Sequence, residues 1–190
     1  MQGLLSVMAE RGYERASIAQ IGKAAGLSPG LIHYHFDSKE AILLGLVEVL
    51  VTGLRERLDD LTQRAGDDAW ERLFAVTDAF LATGRGSDPR ATTAWVVIGA
   101  EAVRLPEVRK AYAAATAEHE ALIRSRLVDV LRAEGRATRK VRKLSAAVLA
   151  YVAGAFQLSV AAPDTIPRGF AAPTARDFIR GLVEREARRD

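Results

Sequence analysis

Apolar side chains recur along the chain at intervals of three and four residues, and runs that alternate at every second position are missing, so the pattern is that of an all-α protein. Over residues 1–11, Leu4, Leu5 and Met8 share one face, and the Gly12-Tyr13 pair marks the end of a first helix. A second starts at Ser17. Gln20 stands three positions on, the spacing of a capping box in which each side chain satisfies a backbone N–H of the other. That helix is predicted to end near Gly26. Ser28-Pro29 opens a third, through about Phe36, because a serine hydroxyl can accept from free N–H groups and a proline in the first turn has no N–H to leave unpaired. Asp37 and Ser38 precede a long helix from about Lys39 to Gln63, with Ile42, Leu43, Leu46, Val49, Leu50, Leu54 and Leu58 as its apolar positions.

Breaks at Gly66-Asp67, from Gly84 to Pro89, at Pro106, at Gly135 and between Pro163 and Pro173 delimit five further helices, making about nine. In residues 144–161, Leu144, Val148, Tyr151, Val152, Ala155 and Phe156 wrap most of the circumference, as in a helix buried on several sides. The last helix carries the stripe Phe178, Ile179, Leu182 and Val183. The expected division is a small helical domain over residues 1–45 and a larger one over 46–190.

With 190 residues, 49% hydrophobic and 27% charged, the chain can bury a core of its own. It has no cysteine, which removes disulfides and thiolate metal sites from consideration. No apolar run approaches the roughly 18 residues of a membrane span, and the first residues lack the pattern of a signal peptide, so a cytoplasmic protein without a membrane partner is expected. The formal net charge of +3 leans only weakly toward polyanions. Within residues 1–40 Arg11, Arg15, Lys23 and Lys39 are balanced by Glu10, Glu14, Asp37 and Glu40. The basic run Arg136, Arg139, Lys140, Arg142 and Lys143 falls between two helices and reads as a solvated turn. Any nucleic-acid reading therefore rests on a motif.

Residues 17–36 supply one: a helix, a glycine-containing turn and a second short helix, the order of a DNA-binding helix-turn-helix. Ile18, Ile21, Ala25, Leu27, Ile32 and Phe36 can close a small core, which leaves Gly30, His33 and Tyr34 facing outward. A short helix so exposed fits a major groove about 12 Å wide. His33 can donate to guanine N7 or O6, and Tyr34 to a phosphate.

Over residues 1–45 the sequence resembles the TetR family of regulators. The resemblance is carried by Gly12-Tyr13, Ser17, Ile21 with the small residues after it, Ala25-Gly26-Leu27-Ser28, Tyr34-His35-Phe36 and Ser38-Lys39-Glu40. It implies that Pro29, Gly30, Leu31 and His33 approach base edges and that Ser17, Tyr34, His35 and Lys39 approach phosphates, with Ser28 opening the recognition helix. His33 stands where the family commonly has tyrosine and Leu31 where it has a small hydroxyl residue. Residues 46–190 resemble effector domains of the choline/betaine-repressor type. This implies a homodimer through helices near 139–161 and 174–188, with Leu144, Val148, Tyr151, Val152, Phe178, Ile179 and Leu182 as candidate interface. It also implies a small-molecule effector, for which Phe74, Asp78, Phe80, Trp95, Ile98, Glu101, His119 and Gln157 are candidate contacts. The expected function is a ligand-responsive regulator, most simply a repressor of a pseudo-palindromic operator, with no cofactor.

Two enzymatic readings fail on mechanism. Gly26-Leu27-Ser28-Pro29-Gly30 matches G-x-S-x-G, but a nucleophile elbow needs a preceding strand and the N–H of the next residue, which Pro29 lacks. His33 and His35, two apart on a helix, project about 200° from each other and cannot share one ion on one face. His119, on the stripe of Val108, Tyr112, Ala115 and Leu122, is either a core histidine or a pocket residue.

Overall fold

The computed structural model describes residues 2–81 and 88–189; the side chains of Gln2, Leu4, Leu5 and Met8 to Arg11 are outside that description, and the expected inward face of Leu4, Leu5 and Met8 falls on them. Nine α-helices occupy the described residues: α1 Gln2–Arg15, α2 Ile18–Ala25, α3 Pro29–His35, α4 Lys39–Ala65, α5 Ala69–Leu81, α6 Pro89–Glu101, α7 Pro106–Ala133, α8 Val141–Ala161 and α9 Ala171–Glu184. A 3₁₀ turn, Pro163–Thr165, follows α8. The only extended pairing among the described residues is an isolated antiparallel bridge between Arg136 and Arg188.

Local chemistry sets most boundaries where the sequence places them. Ser38 Oγ accepts from the Ala41 N–H at 3.0 Å and starts α4. Asp88 caps α6 through the Arg90 N–H at 3.0 Å, and the same Arg90 holds the Asp88 carboxyl below its ordinary range. The end of α1 differs from expectation. Gly12, at φ 73° and ψ 167°, interrupts the helix without ending it, and helical turns resume through Arg15. Only glycine enters that region of backbone space without steric cost, so the expected stop is instead a kink.

The described residues fall into two compact units, 2–53 with 88–115 and 54–81 with 116–189; α4 and α7 contribute to both. In the first, Leu43, Leu46, Ile98 and Val108 are fully buried among Ile21, Ile32, Ile42 and Val47. In the second, Leu73, Ile123, Leu127, Val130, Leu131 and Ile179 are fully buried, and Val148 and Val183 close around them. Truncating one such leucine or isoleucine to alanine typically costs about 2–5 kcal/mol.

α8 overturns one expectation: its 21 residues are long and apolar enough, by length and composition alone, to cross a membrane. Its unbroken apolar run covers only residues 146–156, between Ser145 and Gln157, but the mean hydropathy of the helix stays high across these breaks. One face, Leu144, Val148, Val152 and Ala155, is buried inside the second unit, while Ala146, Ala150, Ala153, Gly154 and Leu158 are exposed.

Candidate nucleic-acid interface

Reciprocal hydrogen bonds fix the start of α2. Gln20 N–H donates to Ser17 Oγ at 3.2 Å and Ser17 N–H donates to Gln20 Oε1 at 3.0 Å. Gly26 closes the helix at a left-handed φ of 68°. The chain then folds back tightly enough for the Leu27 N–H to donate to the Gly22 carbonyl at 2.9 Å. A Cβ on Gly22 would lie 2.9 Å from the Leu27 carbonyl oxygen and 3.1 Å from Ile32 Cδ1. The absence of a side chain at 22 therefore sets how closely α3 approaches α2. Ile21 and Ile32 are buried, and Ile18 and Phe36 pack against them. Leu27, expected in this small core, is 43% exposed instead, because it occupies the turn and only its backbone meets Gly22.

Ser28 caps α3, its Oγ accepting from the Leu31 N–H at 3.2 Å, with Pro29 in the first turn. Helices flank Ser28 on both sides, which is not the strand-to-helix turn of a nucleophile elbow. Ile32 is the one buried residue of α3. Pro29, Gly30, Leu31, His33, Tyr34 and His35 are all exposed, Tyr34 to 83%. A helix so weakly anchored, yet fixed by caps and a close backbone contact, offers nearly its whole circumference to a partner. Tyr34 and His35 rings meet edge-on at 5.1 Å, which orients the phenol at the rim of that face. Ser17 is exposed beside its own cap.

Lys39 is placed differently from the others. Its ammonium donates to the Tyr13 carbonyl at 3.1 Å and the Glu14 carbonyl at 3.3 Å, and it lies 4.3 Å from the centroid of the Tyr13 ring. It ties the end of α1 to the start of α4, a contact between residues 25 and 26 positions apart that no sequence spacing announces. Burial pushes the Tyr13 hydroxyl above its ordinary value, and Glu40, Glu101 and Glu14 push it further. Glu14 also takes a hydrogen bond from Arg104 at 2.8 Å.

The candidate effector residues divide between the two units. In the first, the rings of Trp95 and Tyr112 meet at 4.9 Å with a tilt of 31°, Ile98 is wholly buried, and Glu101 is half-buried with its charge felt at Tyr13. In the second, Arg176 joins two candidates: it bonds Asp78 Oδ2 at 2.5 Å and lies 4.6 Å from the Phe74 ring centroid. Asp78 Oδ1 is buried with no hydrogen-bond partner among the described residues. Phe80 meets His119 edge-on at 4.9 Å, and burial lowers the His119 pKa below the usual 6.5 against an opposing pull from Glu118. Gln157 is exposed on α8. Tyr112 and Arg176 went unmarked in the sequence, where one continues an apolar stripe and the other resembles any surface arginine. Among the candidate dimer residues, Leu144, Val148, Val152 and Ile179 are 7% exposed or less, and Tyr151, Phe178 and Leu182 are half-buried.

Residues 2–46, which hold α1 to α3 and the start of α4, match the family model described as bacterial regulatory proteins, tetR family. Residues 69–184 match that of the BetI-type transcriptional repressor, C-terminal. The chain belongs to the tetR family. Among its relatives, the HTH-type transcriptional regulator BetI of Rhizobium meliloti is 31% identical over 108 residues, covering 56% of this chain and 51% of that protein. The regulator YvdT of Bacillus subtilis is 33% identical over 91 residues, 46% of this chain and 45% of that one. The matches thus span about half the length of these curated relatives. Solved structures share the fold over nearly the full length. A Rhodococcus transcriptional regulator superposes with a TM-score of 0.82 at 22% identity, covering 97% of this chain and 94% of that one. A Saccharomonospora viridis transcriptional regulator in complex with choline has a TM-score of 0.73 at 24% identity, covering 98% and 95%. In this tetR-family chain the helix-turn-helix is α2, the Gly26 turn and α3, and its relatives are regulators rather than enzymes.

Proposed function

We propose that the chain is a ligand-responsive, sequence-specific DNA-binding repressor, which acts in the cytoplasm as a homodimer and leaves a pseudo-palindromic operator when a small-molecule inducer binds. The observation that carries the reading is the state of α3: one buried residue, six exposed ones, and both ends held by caps and by Gly22. In this reading residues 1–45 bind DNA. Pro29, Gly30, Leu31 and His33 address base edges, Ser17, Tyr34 and His35 address phosphates, Ser28 holds the helix start, and Lys39 acts at the edge of the phosphate contacts while bracing α1.

Residues 46–190 would bind effector and partner. The exposed alanine and glycine face of α8, with half-buried Phe178 and Leu182 of α9, supports a helical dimer interface, since small residues let helices approach closely. The buried Leu144, Val148, Val152 and Ile179 support that interface from beneath. For the effector, the choline bound by the Saccharomonospora viridis protein makes organic cations the first class to test. Trp95 and Tyr112, their rings tilted by 31° at 4.9 Å, offer aromatic faces of the kind such cations favour.

The test is selection from random duplex DNA with the full chain and with a variant carrying His33→Ala and Tyr34→Ala. An enriched palindrome that the variant fails to select supports the reading. Equal, sequence-indifferent recovery by both proteins overturns it in favour of a non-specific DNA-binding protein.

A further inference from the structure

The basic run after α7 does not stand alone. The Ala137 N–H donates to the Ala187 carbonyl at 2.8 Å and the Arg189 N–H to the Gly135 carbonyl at 2.8 Å, which lays residues 185–189 alongside 135–137. Residues 132–143 hold six cations and one carboxylate, and residues 184–189 three cations and two carboxylates, so the two stretches together carry a formal +6 against +3 for the whole chain. Of the three carboxylates, Glu186 is turned inward, 6% exposed, toward Lys140 at 3.6 Å, while Glu134, which accepts from Trp70 Nε1 at 2.7 Å, and Glu184 stay exposed beside the more numerous cations. Arg139, Arg142, Lys143, Arg185, Arg188 and Arg189 are exposed and pair with no carboxylate among the described residues.

Local stability argues against such an arrangement. The first turn of α8 has no acidic residue and no side-chain cap, although a helix start favours negative charge and here meets Arg142 and Lys143 directly after Arg139 and Lys140. Arg136 and Arg188 sit opposite each other in the bridge, a like-charge pairing that is itself unfavourable. Arg136 escapes it by donating to the Glu184 and Glu186 carbonyls at 3.0 and 2.9 Å, while Arg188 is left exposed. Departures from local preference of this kind are expected at functional sites.

We propose that the surface formed by residues 132–143 and 185–189 is a second, sequence-independent contact for the phosphate backbone of duplex DNA, in addition to α3. Five of its six unpaired cations are arginine, whose planar fork matches phosphate oxygens. Neither stretch contains an aromatic ring for stacking unpaired bases, which favours duplex over single strand. None of the large exposed apolar side chains lies in either stretch, so nothing there would enter a lipid surface. The inference goes beyond the proposed function, since the contact carries no sequence information and does not depend on an effector.

The test compares the full chain with a variant in which Arg139, Arg142, Lys143, Arg185, Arg188 and Arg189 are glutamine, using a scrambled duplex without operator and fluorescence anisotropy across a salt series. Each phosphate contact contributes about 0.9 to the slope of log affinity against log salt. The variant is expected to lose about 3 or more units of slope and roughly tenfold or more in affinity for the scrambled duplex, while sedimenting with the same mass as the parent. An unchanged slope overturns the proposal, and so does a loss of slope that tracks dissociation of the dimer in sedimentation. Vesicles of phosphatidylglycerol bound by the parent and released by the variant, with the DNA slope unchanged, would assign the surface to membranes instead. If the sixfold variant melts early, the threefold variant R139Q, R142Q and K143Q is expected to lose about half as much slope, and no loss overturns the proposal. Failure of operator selection by His33→Ala and Tyr34→Ala is read independently and leaves this slope largely intact.

Discussion

Among single residues, the caps are legible in the sequence and the tertiary contacts are not. Ser17 and Gln20 announce their reciprocal bonds because a capping box is a matter of three-residue spacing. Leu27 misleads, since an apolar residue beside a turn carries no sign of which way the turn faces. Gly22 and Tyr34 give opposite predictions. Gly22→Ala forces a methyl against the Leu27 carbonyl oxygen, so it is expected to cost about 1–3 kcal/mol in chemical denaturation and to weaken DNA binding through the displaced α3. Tyr34→Ala removes an 83% exposed ring, and should change stability by no more than about 0.5 kcal/mol while reducing operator affinity. A melting temperature that falls as much for Tyr34→Ala as for Gly22→Ala would mean that the phenol belongs to the core. His119 carries a pH prediction. Its folded pKa lies below the unfolded 6.5, so below that value the unfolded chain binds the extra proton first. Stability is then fully present above about pH 6.5 and declines as the pH falls through and below it. The groups acting on the imidazole are Glu118, which opposes the shift, and Arg55, which supports it. Thermal unfolding from about pH 7.5 to about pH 5, flatter in His119→Gln than in the parent, checks the assignment; parallel curves would remove it.

At the scale of elements, periodicity predicted all nine helices, but not how each apolar helix divides its surface. α8 shows why. Most of its large apolar residues point into the second unit, and the middle of the exposed face, Ala146, Ala150, Ala153 and Gly154, is small and bordered by Gln157 and Leu158, so it does not stand out as an apolar stripe. The consequence is a pair of substitutions with separable effects. Ile179→Ala, at a wholly buried position of α9, is expected to lower stability by about 2–5 kcal/mol. Ala150→Glu places a charge on the exposed face of α8 and is expected to leave the helix content of the chain intact while shifting sedimentation from dimer to monomer. A dimer that survives this substitution places the interface elsewhere. The kink of α1 is the other element that periodicity could not give, because a glycine inside a helical pattern reads as a stop until the structure shows turns resuming beyond it.

For the whole molecule, the proposed repressor is a linkage between two binding events, and linkage is reciprocal. An inducer that lowers operator affinity does so by the ratio of its affinities for the free and DNA-bound forms, and operator must lower inducer affinity by the same factor. Couplings of this kind are typically about 1–3 kcal/mol, or roughly 5–150-fold. Choline, the first ligand of the proposed function, supplies the first trial, with the ring pair Trp95 and Tyr112 as its proposed contact. Calorimetric titration of choline into the free chain and into the chain saturated with its selected operator should give two affinities whose ratio equals the loss of operator affinity at saturating choline. Trp95→Ala should weaken choline in both titrations without altering operator affinity in its absence. Equal choline affinities with and without operator would exclude choline as an inducer however tightly it binds, since a ligand indifferent to the two states shifts neither. No binding at all would direct the search to other effector classes, with Arg176 and Asp78, whose buried Oδ1 has no partner among the described residues, as a polar arrangement that a ligand could complete.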